Sequence, residues 1–156
     1  MAKLSVVYMN IFTRKNDNEL LKYLDDNEVT LFDKIKEKLI FQKGEYIIHE
    51  GDKGRDIYVI HKGSALVCYS DEQGQEIEIT ELYEGEAIGE INFVIPIHRT
   101  ANIKALDTVE LFRYPYQKMI DLLKSDMIIA AKIFASLNDL MAKRMVRTTQ
   151  KIEGKI

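Results

Sequence analysis

The chain is predicted to be mainly β with flanking helices, a double-sheet jelly roll or barrel with helices at both ends. Three observations point there. Short β-rich runs recur between residues 39 and 114, with Gly44, Gly51-Asp52, Gly54 and Gly63 between the early ones. Segments of helical period lie before and after them. Many short strands bracketed by helices bury their apolar faces best as two packed sheets.

Residues 13 to 38 read as helical. Asp17 or Asn18 can cap a segment with Leu20, Leu21 and Leu24 on one face. Asp25 or Asp26 can cap a second one carrying Val29, Phe32 and Ile35, with lysines late in the run. Strands are then expected at Leu39-Ile40-Phe41, Tyr46-Ile47-Ile48, Ile57 to Ile60 and Ala65 to Tyr69. Glu76-Ile77-Glu78-Ile79 alternates strictly, which turns both isoleucines to a core and the glutamates to water, and the phase breaks at Glu81-Leu82, as a bulge or strand end does. Two further strands fall near Asn102–Ala105 and Val109–Tyr114, and helical period returns from Tyr116. The last helix, about 126–151, carries Ala130, Ile133, Phe134, Leu137, Leu140, Met141 and Met145 as its apolar stripe.

A length of 156 residues suits one domain with a real core, and 46% apolar with 30% charged residues is ordinary for a globular protein. The net charge of -3 argues against nucleic acid as a partner, because phosphate backbones demand a strongly cationic surface. Cys68 stands alone and cannot make an internal disulfide. No apolar run is long enough for a membrane span, and no signal peptide is read near Val6-Val7-Tyr8-Met9, so the cytoplasm is the expected location. His49, His61 and His98 have no metal-ligand spacing, and no nucleophile elbow or catalytic constellation is visible; no metal, no catalytic residue and no cofactor are expected.

The most informative stretch runs from Gly85 to Ala105. A glycine followed by a short apolar turn supplies exposed backbone N–H groups for an anion, and such a nest works best when a guanidinium closes over it. Arg99 follows Gly89 by ten positions, far enough to return across one helical turn and face it. A plainer reading makes Glu90 and Arg99 a surface ion pair of little energetic worth. Ile91, Phe93 and Val94 are read as core under either reading.

Gly89-Glu90 and Arg99-Thr100-Ala101 resemble the two ends of the phosphate-binding cassette of cyclic nucleotide-binding domains, such as those of protein kinase A regulatory subunits, cyclic nucleotide-gated channels and the catabolite activator protein. Gly44-Glu45, Gly51-Asp52 and Tyr58-x-Ile60-x-x-Gly63 resemble the family's early turns, and the likeness covers about 24–150. Three positions depart from the pattern: Ile88 replaces an aromatic, Asn92 a small residue, and His98 the proline before the arginine.

The resemblance implies a jelly-roll β-barrel with N-terminal helices and a C-terminal lid helix, divided as an N-terminal extension, partly helical, over 1–23 and a single domain over 24–152. It implies a cyclic nucleotide, cAMP or cGMP, as ligand. Gly89 then admits the phosphate, the N–H groups of Ile91 and Asn92 meet it, Glu90 accepts from the ribose hydroxyl, Arg99 pairs with phosphate oxygens, and Thr100 adds a hydroxyl to phosphate or purine. Leu140 and Arg144 can share a face towards the base; alternatively Lys143, Arg144 and Arg147 are simply solvated. The chain stops where transcription-factor members begin their helix-turn-helix. The expected function is therefore a free-standing, non-enzymatic sensor that signals through its last helix to a partner in trans or to a second copy. The competing expectation is an interaction or dimerisation module of the same fold that binds no nucleotide. The role of residues 1–15, with Val6, Tyr8 and Phe12, is left open.

Overall fold

A computed structural model describes residues 12–156. Residues 1–11, with Val6 and Tyr8, lie outside the described part. Helix α1 (Asp26–Asp33) precedes strands β1 (Glu37–Phe41), β2 (Tyr46–Ile48), β3 (Ile57–Lys62), β4 (Ala65–Ser70), β5 (Glu76–Leu82) and β6 (Ala87–Ile88). Helix α2 (Glu90–Val94), strands β7 (Asn102–Ala105) and β8 (Val109–Tyr114), and helices α3 (Tyr116–Ser125) and α4 (Met127–Ile152) complete it. The strands form two four-stranded antiparallel sheets, ordered β1-β8-β3-β6 and β2-β7-β4-β5. The double-sheet expectation holds, as two open sheets rather than one closed barrel.

The first sheet is covered on both faces. Ile60, Ile88, Val109 and Leu111 meet Ile48, Ala65, Leu82 and Ile103 between the sheets. On the other face Ile57, Val59 and Tyr114 pack under Leu20, Leu24, Phe32, Met119, Ile133 and Leu137. Burial on two sides is why Ile57-Tyr58-Val59-Ile60 reads as an unbroken apolar run rather than an alternation.

Four sequence expectations change. The first is the helix before Leu24, which is a series of turns. Asn18 Oδ1 accepts from the N–H groups of Leu20 and Leu21, and Asn16 donates to Leu21 O, so local side-chain bonds compete successfully with a helical ladder. Leu20, Leu21 and Leu24 are buried all the same. Second, the helix expected to reach 38 ends at Asp33. Its Asp25–Glu28 capping box forms, but residues from Glu37 on pair with β8 instead.

Third, Ile79 does not enter the core. β4 and β5 pair Val67 with Thr80 and Cys68 with Glu78, so Ile79 is the extra residue of a bulge and is exposed. Fourth, the core stripe of α4 is Ile129, Ile133, Ser136, Leu137 and Leu140, while Phe134 is 48% and Met145 71% exposed. A helix longer than its own core presents a second apolar face on the side turned away from it.

A charge network ties the N-terminal turns to α4. Lys22, only 2% exposed, donates to Asp139 and, at 3.3 Å, to Glu19. Burial lowers the Lys22 pKa and is the largest single effect, but the bond to Asp139 and the charge and bond of Glu19 together outweigh it, and the ammonium titrates above the usual lysine range. The same bond holds the Asp139 carboxyl below the usual carboxylate range. A carboxyl whose folded pKa is depressed stabilises the fold fully above its unfolded value, near 4, and loses that contribution as pH falls through the folded value. Asp139→Asn is expected to cost roughly 2 kcal/mol at neutral pH, less than the about 3–5 kcal/mol of a fully buried pair because Glu19 remains and Asp139 is partly solvated. Melting temperatures measured from pH 6 to 3 should fall more steeply for the parent than for the variant. Parallel curves would show that the pair contributes nothing.

Candidate functional site

The first sheet ends at β6, and the chain turns directly into α2 through Gly89. This residue has φ of 86° and is the N-cap of α2. A Cβ built there would lie 2.4 Å from Arg99 Nη1 and 2.8 Å from Asp56 O, so only glycine fits both the left-handed backbone and the approach of Arg99. Arg99 is 5% exposed and its guanidinium donates to Asp56 O at 2.9 Å, Asn92 Oδ1 at 3.2 Å and Gly89 O at 3.4 Å. Burial pushes the guanidinium below the usual arginine range, opposed by the field of Tyr58, Asp56 and Glu90.

The turn glycines upstream belong to the same construction. Arg99 N donates to Asp52 O at 2.7 Å, and Gly51 N donates to Arg99 O at 2.8 Å, so the Gly51-Asp52 turn clamps the arginine's backbone. Gly54 has an ordinary backbone but leaves room for the guanidinium: a Cβ would stand 3.1 Å from Nη2.

The expected site residues Gly89, Glu90, Ile91, Asn92, Arg99 and Thr100 all line one cavity of about 260 Å³. As first-turn residues of α2, Ile91 and Asn92 have N–H groups without an intrahelical acceptor. Of the residues read as core, only Phe93 is buried, edge-on to Tyr116 at 5.4 Å; Ile91 and Val94 are exposed. Asn92 is buried and binds both ends of the loop, donating to Ile97 O at 2.6 Å while accepting from Arg99. That double bond is what its amide provides where the family pattern has a small residue. Thr100 is exposed at the cavity rim.

Glu90, 3% exposed, does not pair with Arg99. Its carboxylate takes Arg144 of α4, which also donates to Ala87 O. Arg144 is therefore half-buried and tied to Glu90 and Ala87 O rather than freely solvated. Arg147, Thr148 and Lys151 line the cavity too, at positions three, four and seven beyond Arg144, and hence on one face of α4. Lys151 Nζ donates to Ile79 O at 2.5 Å, using the backbone that the β5 bulge exposes. Four cations, Arg99, Arg144, Arg147 and Lys151, thus line the cavity against one carboxylate, Glu90. Such a balance attracts an anion of a size the cavity admits.

Sequence reading missed Arg55. It donates to Asn92 O and Phe93 O, both at 2.9 Å, and lies 4.1 Å over the Tyr116 ring. It thereby neutralises the carbonyl end of α2 and fixes the helix against α3. No local signal links Arg55 to a helix some 37 residues later. Among the described residues, no group of three or more His, Cys, Asp or Glu side chains is placed to hold a metal ion.

Residues 38–126 match the cyclic nucleotide-binding domain family, and the chain belongs to that family. It is 32% identical over 107 residues to the cAMP-activated global transcriptional regulator CRP of Salmonella typhimurium, covering 68% of this chain and 49% of the relative. The chain thus spans about half the length of the curated relatives it matches at that level. Among solved structures, a cyclic nucleotide-binding domain from Methylobacillus flagellatus superposes with a TM-score of 0.81 at 18% identity, over 97% of this chain and 85% of that one. The regulatory subunit of a cAMP-independent protein kinase A from Trypanosoma brucei superposes with a TM-score of 0.60 at 25% identity, over 80% of this chain and 47% of its own. These relatives include regulators, and the three cavity cations contributed by α4, Arg144, Arg147 and Lys151, lie beyond the residues matched by the family, whereas Arg99 lies within them.

Proposed function

We propose that the chain is a non-enzymatic, cytoplasmic sensor domain for a cyclic purine mononucleotide, cAMP or cGMP. The observation that carries this reading is Arg99, buried beneath the free N–H groups of α2 in a cavity that also holds Glu90. A cyclic phosphate seats against Gly89, the N–H groups of Ile91 and Asn92, and the Arg99 guanidinium, with Thr100 at the rim. The ribose 2′-hydroxyl donates to Glu90. That carboxylate already holds Arg144, so ligand and α4 meet at one side chain, and occupancy of the site is read directly by the helix. The ligand shifts α4 only by its differential affinity for the two helix positions.

The outward face of α4 is suited to pass the shift on. Met127, Ala131, Phe134, Asn138, Met141 and Met145 repeat at alternating spacings of four and three, the seam of a two-stranded coil, with Met141 half-buried at its inner edge and Asn138 as a register-setting polar position. A second copy presenting the same stripe is the partner proposed, with no direct contact to nucleic acid or membrane. No helix among the described residues is long and apolar enough to cross a membrane.

A second reading has its own support. The Arg99 and Glu90 side chains are already bonded within the protein, as in a module whose pocket is filled by its own groups. Calorimetric titration of folded, nucleotide-free protein separates the two. Micromolar or tighter binding of cAMP or cGMP, with a sedimentation coefficient that drops to the monomer value in Phe134→Glu, is the expected result. No heat with either nucleotide selects the module.

A further inference from the structure

We infer that the base end of the cavity selects a purine bearing a carbonyl at position 6, guanine or hypoxanthine, over adenine. This rests on the reading of the cavity as a cyclic nucleotide site. With phosphate at Arg99 and ribose at Glu90, the base extends along α4 past Arg144, which is fixed on Glu90. Lys151, seven residues further, is fixed on Ile79 O of β5. Seven residues of helix span about 10 Å, which is the reach of a ribose and its attached purine.

The side chains α4 presents over that span are Arg147, Thr148 and Lys151. Arginine and lysine are donors only. The Thr148 hydroxyl gives its proton to Arg144 O at 2.9 Å, so one hydroxyl oxygen stands against two cations. The single carboxylate of the lining, Glu90, sits at the ribose end under Arg144. At position 6 adenine carries an amino donor, which faces these cations without a carboxylate to receive it. Guanine and hypoxanthine carry an oxygen there beside N7, the acceptor pair that a guanidinium fork grips with two bonds. Arg147 has no bonded partner among the described residues and is the group able to do so. Ile79 and Val67 offer the apolar wall for the base's flat face.

Competition binding with cyclic GMP, cyclic IMP and cyclic AMP tests this on the full chain and on Arg147→Met/Lys151→Met. Both substitutions are at exposed positions and leave the core untouched. Cyclic GMP and cyclic IMP are expected to bind alike, each on the order of tenfold to a hundredfold tighter than cyclic AMP. The gap should close in the double variant through loss of the 6-oxo ligands. Cyclic IMP is the decisive probe, since it keeps the 6-carbonyl and lacks guanine's 2-amino group. If it groups with cyclic AMP, or if the gap survives the double substitution, or if cyclic AMP binds best, the inference is overturned while the sensor reading stands. Binding of none of the three by folded protein overturns both.

Discussion

Gly89→Ala is expected to destabilise the protein by about 3 kcal/mol, of which roughly 1–2 kcal/mol is the left-handed backbone and the rest steric overlap. The new methyl would lie 2.4 Å from Arg99 Nη1 and 2.8 Å from Asp56 O. The guanidinium cannot swing aside without giving up three bonds, and Asp56 O is backbone held by the β3 approach. Gly51→Ala is the matched control. Gly51 has φ of 88° and nothing within 4 Å of a Cβ, so it should show the backbone cost alone, about 1 kcal/mol. Urea unfolding of the two variants reads the difference, and nucleotide affinity should fall at least a hundredfold for the alanine at 89 only. Equal midpoints for both would mean that Gly89 serves the turn and not the arginine.

Arg99→Ala is expected to weaken nucleotide binding by one to two decades, since a hydrogen bond to a charged group contributes roughly 1.5–3 kcal/mol. It also leaves Asp56 O, Gly89 O and Asn92 Oδ1 without their donor in a buried place, so the melting temperature should fall too. The two effects separate if binding is measured well below the variant's melting point. Arg99→Lys keeps the charge but not the planar fork, and should recover part of the affinity and little of the stability. Full affinity in Arg99→Ala protein would remove the phosphate role from this residue and leave it as a clamp for the cassette loop.

The parts of the site that were legible in the sequence lie close together in it. Gly89, Glu90, Arg99 and Thr100 occur within twelve residues, and a glycine, a one-turn helix and a returning arginine make a local motif whose geometry follows from backbone rules. The cap of α1 was legible to within one residue, as Asp25 or Asp26, for the same reason, because capping involves the next three residues only; the structure selects Asp25. The turns of residues 16–24 were misread because leucines at helical spacing mark what is buried, and Asn16 and Asn18 decide how.

The sequence by itself determined the double-sheet fold with its terminal helices, and its resemblance to the family's cassette pointed to Gly89, Glu90, Ile91, Asn92, Arg99 and Thr100, which all line the cavity. Local chemistry suffices for the fold, since strand period, turn glycines and caps act over a few residues. Only the tertiary structure decided that Glu90 is held by Arg144 rather than Arg99, that Arg55 seals α2, and that Arg147 and Lys151 reach the same cavity. Each of these joins residues 35 or more apart in the chain. The rotation of α4 about its own axis chose which cations face inward, and that rotation follows from packing Ile133, Leu137 and Leu140 on the core.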